Sequence, residues 1–212
     1  MIEPTKYQLD LLREAVKYLK ENEYIPYLKL KRLLAEKPPG FEVEFRQTFE
    51  SYYVMGAAGL TQAFKKRFFD LLFTLTICDD DPYTRLLEDL YKYPSLKGAN
   101  TLQCSFVSKM VAVHDESRPI LDKHVSSFFG IAVPLNGNLE FRISVFVTCM
   151  GFLRQIYQAW AELPAVDEIL SRFKQKHPGL KDCNTCRLID LLVWTVGRKQ
   201  LWDSPYMKRE SK

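Results

Sequence analysis

The sequence predicts an all-α protein, and three observations support this fold class. Apolar residues recur at the helical spacing i, i+3 and i+4 in one segment after another. An alternation of apolar and polar residues, typical of a half-buried strand, is not sustained anywhere in the chain. Polar caps and prolines stand where helices would begin, and prolines and glycines where they would end. These signals together predict about ten helices.

The individual helices follow from these signals in chain order. The first is expected to begin near Thr5, and the second opens at Pro26 and ends before Pro38. A further helix begins at Pro82, with Asp81 as its N-cap; this interpretation is favoured over a metal site formed by the carboxylates of residues 79–81. Other helices are predicted over residues 41–55, 60–74, 141–160, 164–176 and 187–196.

The stretch from Ser105 to Gly130 predicts a helix, an extended arm and a second helix. The first helix ends near His114, because Pro119 forces the residue before it out of helical backbone. Asp122 then occupies the N-cap position of the next helix, where its carboxylate can accept backbone N–H groups. N-capping alone would explain this aspartate.

Length and composition predict a compact globular protein. The chain has 212 residues, of which 47% are hydrophobic, including 14 Phe and 11 Tyr. We expect residues 1–202 to form one compact helical domain, either single or built of two intimately packed lobes, and residues 203–212 to form a flexible tail.

Cysteine usage and the N-terminus predict an intracellular, cytoplasmic protein. The five cysteines are an odd number and lie mostly in apolar helical contexts, as reduced thiols do. The first residues contain no apolar signal segment. The most apolar helix carries Arg142 and Arg154 with only 11 residues between them, too few to span a bilayer. It is therefore predicted to be a core helix covered on both sides, and no membrane association is expected.

Basic charge is concentrated near the C-terminus. The net charge is +4, but residues 172–212 carry ten Lys and Arg against four Asp and Glu. A polyanion partner would explain this asymmetry, and so would ordinary solvated helix faces. The cationic trio at residues 65–67 is interpreted as a solvent-facing group.

Few residue patterns point to metal or cofactor chemistry. Cys183 and Cys186 have the spacing of zinc ligands, but no second pair follows and only His177 is near in sequence. Phosphate-binding loops, dinucleotide fingerprints and hydrolase nucleophile motifs are absent from the sequence. No metal and no cofactor are predicted.

One arrangement resembles a known family. A helix, a turn at Gly98, a second helix and the segment Pro119-Ile-Leu-Asp122-Lys-His124-Val resemble the helix-hairpin-helix DNA glycosylases of the endonuclease III-like superfamily, over residues 82–130. The resemblance implies a two-lobed all-α fold, double-stranded DNA as partner, and base excision repair. In that family the residue that matches Asp122 stabilises charge developing at the sugar and helps to reposition a lysine nucleophile.

The resemblance also implies site residues. Asp122 and Lys109 are the catalytic candidates. A buried lysine could have the lowered pKa that suits a nucleophile, but a lysine on a helix face would ordinarily be exposed. His124 is expected to be a surface or hydrogen-bonded residue. The backbone amides of residues 96–101 would bind phosphate, as they do in the family hairpin. The predicted DNA-binding residues, from the hairpin and the basic C-terminal region, are Lys97, Gly98, Asn100, Arg187, Arg198 and Lys199.

Two departures from the family pattern keep a second hypothesis open. The family hairpin has two glycines, whereas this chain has only Gly98 in the corresponding Leu96–Asn100 segment. Gln103 and Cys104 stand where bifunctional members carry the lysine. The alternatives are a catalytically inactive nucleic-acid-binding module on the same scaffold, or a helical protein-interaction module.

Overall fold

The computed structural model describes residues 3–77 and 81–203. Within these ranges the regular structure is helical apart from one isolated bridge between Leu60 and Ser95, which confirms the all-α class. The α-helices are α1 (Lys6–Tyr18), α2 (Ile25–Glu36), α3 (Phe41–Tyr52), α4 (Gln62–Thr74), α5 (Tyr83–Tyr91), α6 (Cys104–His114), α7 (Lys123–Phe129), α8 (Leu139–Ala161), α9 (Pro164–Lys176) and α10 (Thr185–Lys199). Short 3-10 helices cover Glu21–Glu23, Met55–Ala58, Pro178–Leu180 and Leu201–Asp203.

The chain divides into two compact units. The first contains the residues up to Glu21 and those from Glu116 onward, and the second contains the residues from Asn22 to Asp115. The division falls directly after α6, so the extended arm and α7 belong to the first unit together with α1, α8, α9 and α10. The predicted tail, beyond residue 203, lies outside the described residues.

Helix α10 is the centre of the first unit. It packs against α1, α7, α8 and α9, and side chains are buried on every side of it from Cys186 to Gly197, with Trp194 half-buried. Asn184 caps its first turn by accepting the N–H of Cys186 at 2.9 Å. The burial extends to two charged residues, Arg187 and Asp190.

Helix α8 is less enclosed than the sequence predicts. One face is buried through Ile143, Phe146 and Trp160, whereas Phe141 and Phe152 are 51% and 43% exposed. The expectation that both sides would be covered is therefore wrong. Neighbouring helices, and not the helix's own apolar content, decide which faces are buried, and single exposed apolar residues are common on protein surfaces.

The second unit is built around phenylalanines. The rings of Phe49 and Phe69 meet edge to face with centroids 5.7 Å apart, and those of Phe68 and Phe69 do so at 5.3 Å. Such pairs contribute about 0.5–1.5 kcal/mol beyond the burial of their area. The fully buried phenylalanine rings of this core are Phe45, Phe49, Phe64, Phe68 and Phe69.

Local caps begin the helices where the sequence predicts them. Thr5 and Gln8 form a capping box at the start of α1. The carboxylate of Asp81 accepts the N–H groups of Tyr83 and Thr84 at 2.9 and 3.1 Å, which confirms its capping role. Residues 79 and 80, the other carboxylates of that segment, lie outside the described residues.

The cationic trio on α4 is matched by carboxylates. Lys65 pairs with Glu50, Lys66 pairs with Asp70, and Arg67 makes a two-pronged contact with Asp89. That contact lowers the pKa of the Asp89 carboxyl. The three positive charges are therefore each paired with a carboxylate of the same protein. None of the helices described here is long and apolar enough to cross a bilayer.

Gly197 allows α7 to lie close to α10. A Cβ atom built on it would stand 2.6 Å from the Cβ of His124 and 2.9 Å from its Cα, closer than real carbon atoms approach. Overpacking of this kind typically costs about 1–3 kcal/mol. We expect Gly197→Ala to lower the free energy of unfolding by this amount, measured by urea denaturation.

Gly151 on α8 provides the matched control. It is also a helix-interior glycine of the first unit, but nothing lies within 4 Å of its built Cβ. Gly151→Ala should therefore raise the free energy of unfolding by up to about 1 kcal/mol, the difference in helix propensity. Equal stability of the two variants would show that α7 does not depend on close contact with Gly197.

Candidate functional site

Asp122 is the N-cap of α7, as predicted. Its Oδ1 accepts the backbone N–H groups of His124 at 2.9 Å and Val125 at 3.1 Å. Neither bond uses Oδ2, and the side chain is half-buried, so the carboxylate is not sealed in the core. Capping thus accounts for one oxygen of Asp122 and leaves the other outside the capping interaction.

The extended arm before Asp122, residues 115–121, is hydrogen-bonded to a buried polar network centred on α10. The N–H of Ile120 donates to the Asp190 carboxylate, at 3.3 Å to the nearer oxygen. Arg187 donates to the carbonyl of Arg118 at 3.4 Å and forms an ion pair with Asp190. The hydroxyl of Tyr157, on α8, donates to Asp190 at 3.1 Å. These contacts fix the backbone on both sides of Pro119.

The environment of this network raises the pKa of both Asp190 and Tyr157. Burial raises the pKa of Asp190 to about 6, against the opposing effect of the Arg187 charge, and the nearby Asp122 charge raises it further. Burial also raises the pKa of Tyr157 well above its ordinary value. At neutral pH we expect Asp190 to be ionised and paired.

Arg187 is buried, although the sequence predicted it to be a DNA-binding residue. It was expected to contact DNA, but only 2% of it is exposed, and its guanidinium is engaged with Asp190 and the Arg118 carbonyl. A phosphate cannot reach a buried guanidinium without disrupting this network. We therefore leave Arg187 out of the candidate interface.

The charges of Asp122 and Arg198 both act on His124, where α7 packs against α10. The imidazole lies edge-on to Trp194 with ring centroids 6.2 Å apart, and Arg198 lies over the Trp194 ring at 4.8 Å. Burial lowers the pKa of His124; the Asp122 charge opposes this, and the charges of Lys123 and Arg198 add to the lowering. We call Asp122, Lys123, His124, Trp194 and Arg198 the α7–α10 face.

Sequence reasoning missed Trp194. An available signal was the spacing of Trp194 and Arg198, four residues apart near the end of a helix, where two side chains meet on one face. Lys199, also predicted to bind DNA, is half-buried in the last turn of the same helix.

The predicted hairpin lies in the second unit and is a tight turn. Gly98 has a φ of 78°, which an L side chain rarely adopts, and the N–H of Ser95 donates to the carbonyl of Ala99 at 2.9 Å. The N–H of Gly98 bonds to Ser95, and that of Leu96 to Gly59 at 2.8 Å. Two of the amides expected to meet phosphate are thus engaged within the protein.

The side chains of the hairpin remain available. Lys97 and Asn100 are both exposed, and so is Gly98. The hairpin can therefore present a cation and an amide side chain to a polyanion, in addition to any amides not used in the turn. Its contribution to phosphate binding would come more from Lys97 than from the backbone.

Lys109 is buried, contrary to the expectation for a lysine on a helix face. It is 9% exposed, and its Nζ lies 3.0 Å from the Oγ of Ser105. The ammonium also lies over the rings of Tyr53 and Phe106, at 5.1 and 5.2 Å from their centroids. Cation–aromatic contacts of this kind contribute about 2 kcal/mol when water is excluded.

Cys183 and Cys186, the pair with zinc-like spacing, are both buried thiols at the start of α10. Over residues 3–77 and 81–203, no three His, Cys, Asp or Glu side chains are grouped so that they could hold a metal ion.

Comparison of the chain with protein-family models, with curated proteins and with solved structures found no match in any of the three. The resemblance to helix-hairpin-helix glycosylases therefore rests on the residues quoted above, and the function has to be argued from the geometry of the site.

The titration of Asp190 predicts a pH dependence of stability. Its pKa is about 6 in the folded protein and 3.8 for the unperturbed group, so folding takes up a proton between these values. This proton-linked stability is fully present below pH 3.8 and is lost as the pH rises through 6. Relative to Asp190→Asn, the wild type should gain about 2 kcal/mol between pH 7 and pH 4.

The measurement is urea unfolding of both proteins across this pH range. Asp182→Asn, the same replacement at an exposed position of the first unit, controls for the loss of one carboxylate. A difference between wild type and Asp190→Asn that stays constant with pH would contradict the raised pKa.

Proposed function

We propose that the protein binds double-stranded DNA and acts as a DNA glycosylase-like base-excision repair protein, with Asp122 assisting cleavage of the N-glycosidic bond. The observation that carries the proposal is the half-buried Asp122 carboxylate, which caps α7 at the end of a fixed arm and, like Arg198, acts electrostatically on His124. A fixed carboxylate suits a reaction in which positive charge develops on a sugar.

Asp122 can supply negative charge at a defined position. Its Oδ1 is oriented by two backbone N–H groups, and Oδ2 is free of those bonds to face a developing oxocarbenium ion. The arm is held by Asp190 and Arg187, so little reorganisation is needed when the charge forms. Preorganised charges of this type are a large source of catalysis.

DNA would be bound mainly through its phosphates. Lys123 and Arg198 are exposed cations on the α7–α10 face, and Lys97 with Asn100 is exposed on the hairpin of the second unit. Phosphate contacts carry no sequence information, so the proposed binding has little sequence preference. Lys199 adds a further cation at the end of α10.

The alternative is binding without catalysis, and the burial of Lys109 favours it. A buried ammonium held by Ser105 and two aromatic rings is poorly placed to attack a sugar carbon, and Gln103 occupies the family's lysine position. A role in protein interaction draws support from a different feature, the exposed apolar residues Leu135, Phe141 and Phe152. These hypotheses differ in whether base release depends on Asp122.

The binding proposal predicts that DNA affinity depends on salt concentration and that individual cations contribute to this dependence. Affinity for a short fluorescent duplex, measured by anisotropy, should fall steeply with salt because phosphate neutralisation releases counterions. Arg198→Gln and Lys97→Gln should each reduce the slope of log affinity against log salt by about one.

Arg172→Gln is the matched control, since Arg172 is exposed on α9 and paired with Glu168. Its slope should equal that of the wild type. An unchanged slope in Arg198→Gln would remove Arg198 from the interface, and a wild type that binds no duplex even at low salt would end the proposal.

The catalytic proposal is tested by separating the cap from the charge of Asp122. Asn also caps helices well, so Asp122→Asn should fold normally and keep its DNA affinity, while base release from lesion-containing duplexes falls about 100-fold. Asp122→Ala should in addition lose about 1 kcal/mol of stability. The readout is the number of alkali-labile strand breaks across a panel of damaged bases. Full activity of Asp122→Asn, or no activity of the wild type, would contradict the catalytic proposal and favour a binding module without catalysis.

A further inference from the structure

We infer that the protein forms a two-fold symmetric homodimer through the exposed face of α8, with the two copies of this helix antiparallel. This face consists of Phe141, Val145, Thr148 and Phe152, and we call it the α8 seam. The inference concerns a surface that the proposed DNA binding does not use, and it does not depend on the proposed function.

The first support is that an exposed helix face is apolar and carries no charge. Phe141 and Phe152 are 51% and 43% exposed, Thr148 is exposed, and Val145 is half-buried. No charged residue occurs at positions 143–153. A helix face in contact with water normally carries charged residues, so this composition indicates a surface that a partner covers.

The second support is the spacing of the α8 seam. Its residues follow one another at intervals of four, three and four, which is the spacing of the core positions of a coiled coil. Eleven residues make three helical turns plus about 20°, so Phe141 and Phe152 project from nearly the same side of α8. Ile143 and Met150, on the opposite side, are buried within the first unit. The seam is therefore a second contact face of a helix whose other face is already packed.

The third support is that the α8 seam is complementary to itself. If a two-fold axis passes midway between Val145 and Thr148 of an antiparallel pair, Phe141 of one copy lies level with Phe152 of the other. Val145 then lies level with Thr148 of the other copy, so each layer joins side chains of similar size. A two-fold interface requires this reciprocity, because one patch has to serve both copies. The dipoles of antiparallel helices also attract each other, whereas those of parallel helices repel.

The fourth support is that covering the seam costs little. The hydroxyl of Thr148 donates to the carbonyl of Ser144 at 2.9 Å, so it keeps its hydrogen bond when water is removed. The ring of Phe141 lies against Gly137, where a built Cβ would stand 2.9 Å from the ring atom Cδ1. The turn before α8 therefore positions this ring, and the side-chain freedom lost on association is small.

The experiment measures the mass of the full-length protein by sedimentation equilibrium between about 1 and 100 µM, where a modest interface associates. We expect the mass of the wild type to rise towards twice the 24.8 kDa of one chain. Phe141→Glu and Phe152→Lys should each raise the dimer dissociation constant at least about 30-fold. Each replacement places a charge against a phenylalanine at both ends of the symmetric seam.

A mixture of these two variants tests the antiparallel orientation. In an antiparallel heterodimer, the introduced carboxylate at position 141 meets the introduced ammonium at position 152, and the two remaining phenylalanines meet at the other end. The mixture should therefore dimerise with a dissociation constant within about tenfold of that of the wild type. In a parallel pair each introduced charge would still face a phenylalanine, so the mixture would not recover.

Two further variants serve as controls. Val43→Glu places a charge at a 62% exposed apolar position of α3, in the second unit, and should dimerise like the wild type. Thr148→Arg brings two cations into the centre of the seam and should also prevent association. Circular dichroism checks the fold of every variant, and Thr148→Arg decides the question if a phenylalanine variant unfolds.

The outcomes support or overturn the dimer separately from the proposed function. Weakened association of the seam variants with recovery in the mixture supports it. A wild type that is monomeric at every concentration would overturn the homodimer and leave the seam to a different protein. A dimer that the seam variants do not weaken, or a mixture that does not recover, would overturn the proposed interface. DNA binding by a monomeric wild type would leave the proposed function standing.

Discussion

The buried ion pair between Arg187 and Asp190 is the interaction on which the architecture of the first unit depends. Removing two charges from water costs several kcal/mol for each ion, and such a pair persists only where its other bonding groups are satisfied. Asp190 accepts hydrogen bonds from Arg187, Tyr157 and the N–H of Ile120. Apolar residues of similar volume would often stabilise a core equally well. What the pair adds is directional bonding to the Pro119 arm.

The position of the candidate site follows from this bonding. The arm cannot form regular structure around Pro119, so its backbone groups need partners from elsewhere. Asp190 satisfies one N–H and Arg187 one carbonyl, and Asp122 then starts α7 at the end of the fixed segment. Because α7 in turn packs closely on Gly197, the charges of Asp122 and Arg198 both act on His124.

Local signals made most of the fold predictable. The predicted caps formed by Asp81 and Asp122 depend on bonds to residues only two or three positions away, and the structure confirms both of them. Thr5, where the first helix was expected to begin, caps α1 by the same kind of local bond. Burial was harder to predict because distant neighbours decide it. Arg187 and Arg198 belong to one helix, yet one is enclosed and the other exposed. Lys109 likewise lies in an aromatic environment to which Tyr53, far away in sequence, contributes.

At least three of the seven described cations in the basic C-terminal region, residues 172–203, are used within the protein. Among the described residues of that segment, Arg187 pairs with Asp190, Arg172 pairs with Glu168, and Lys176 donates to the carbonyls of Val16 and Lys17. Total charge is therefore a poor guide to the strength of any DNA interface here. A face with few cations makes few phosphate contacts, and its non-specific affinity is correspondingly low. Recognition by such a face would have to draw on contacts other than those to phosphate.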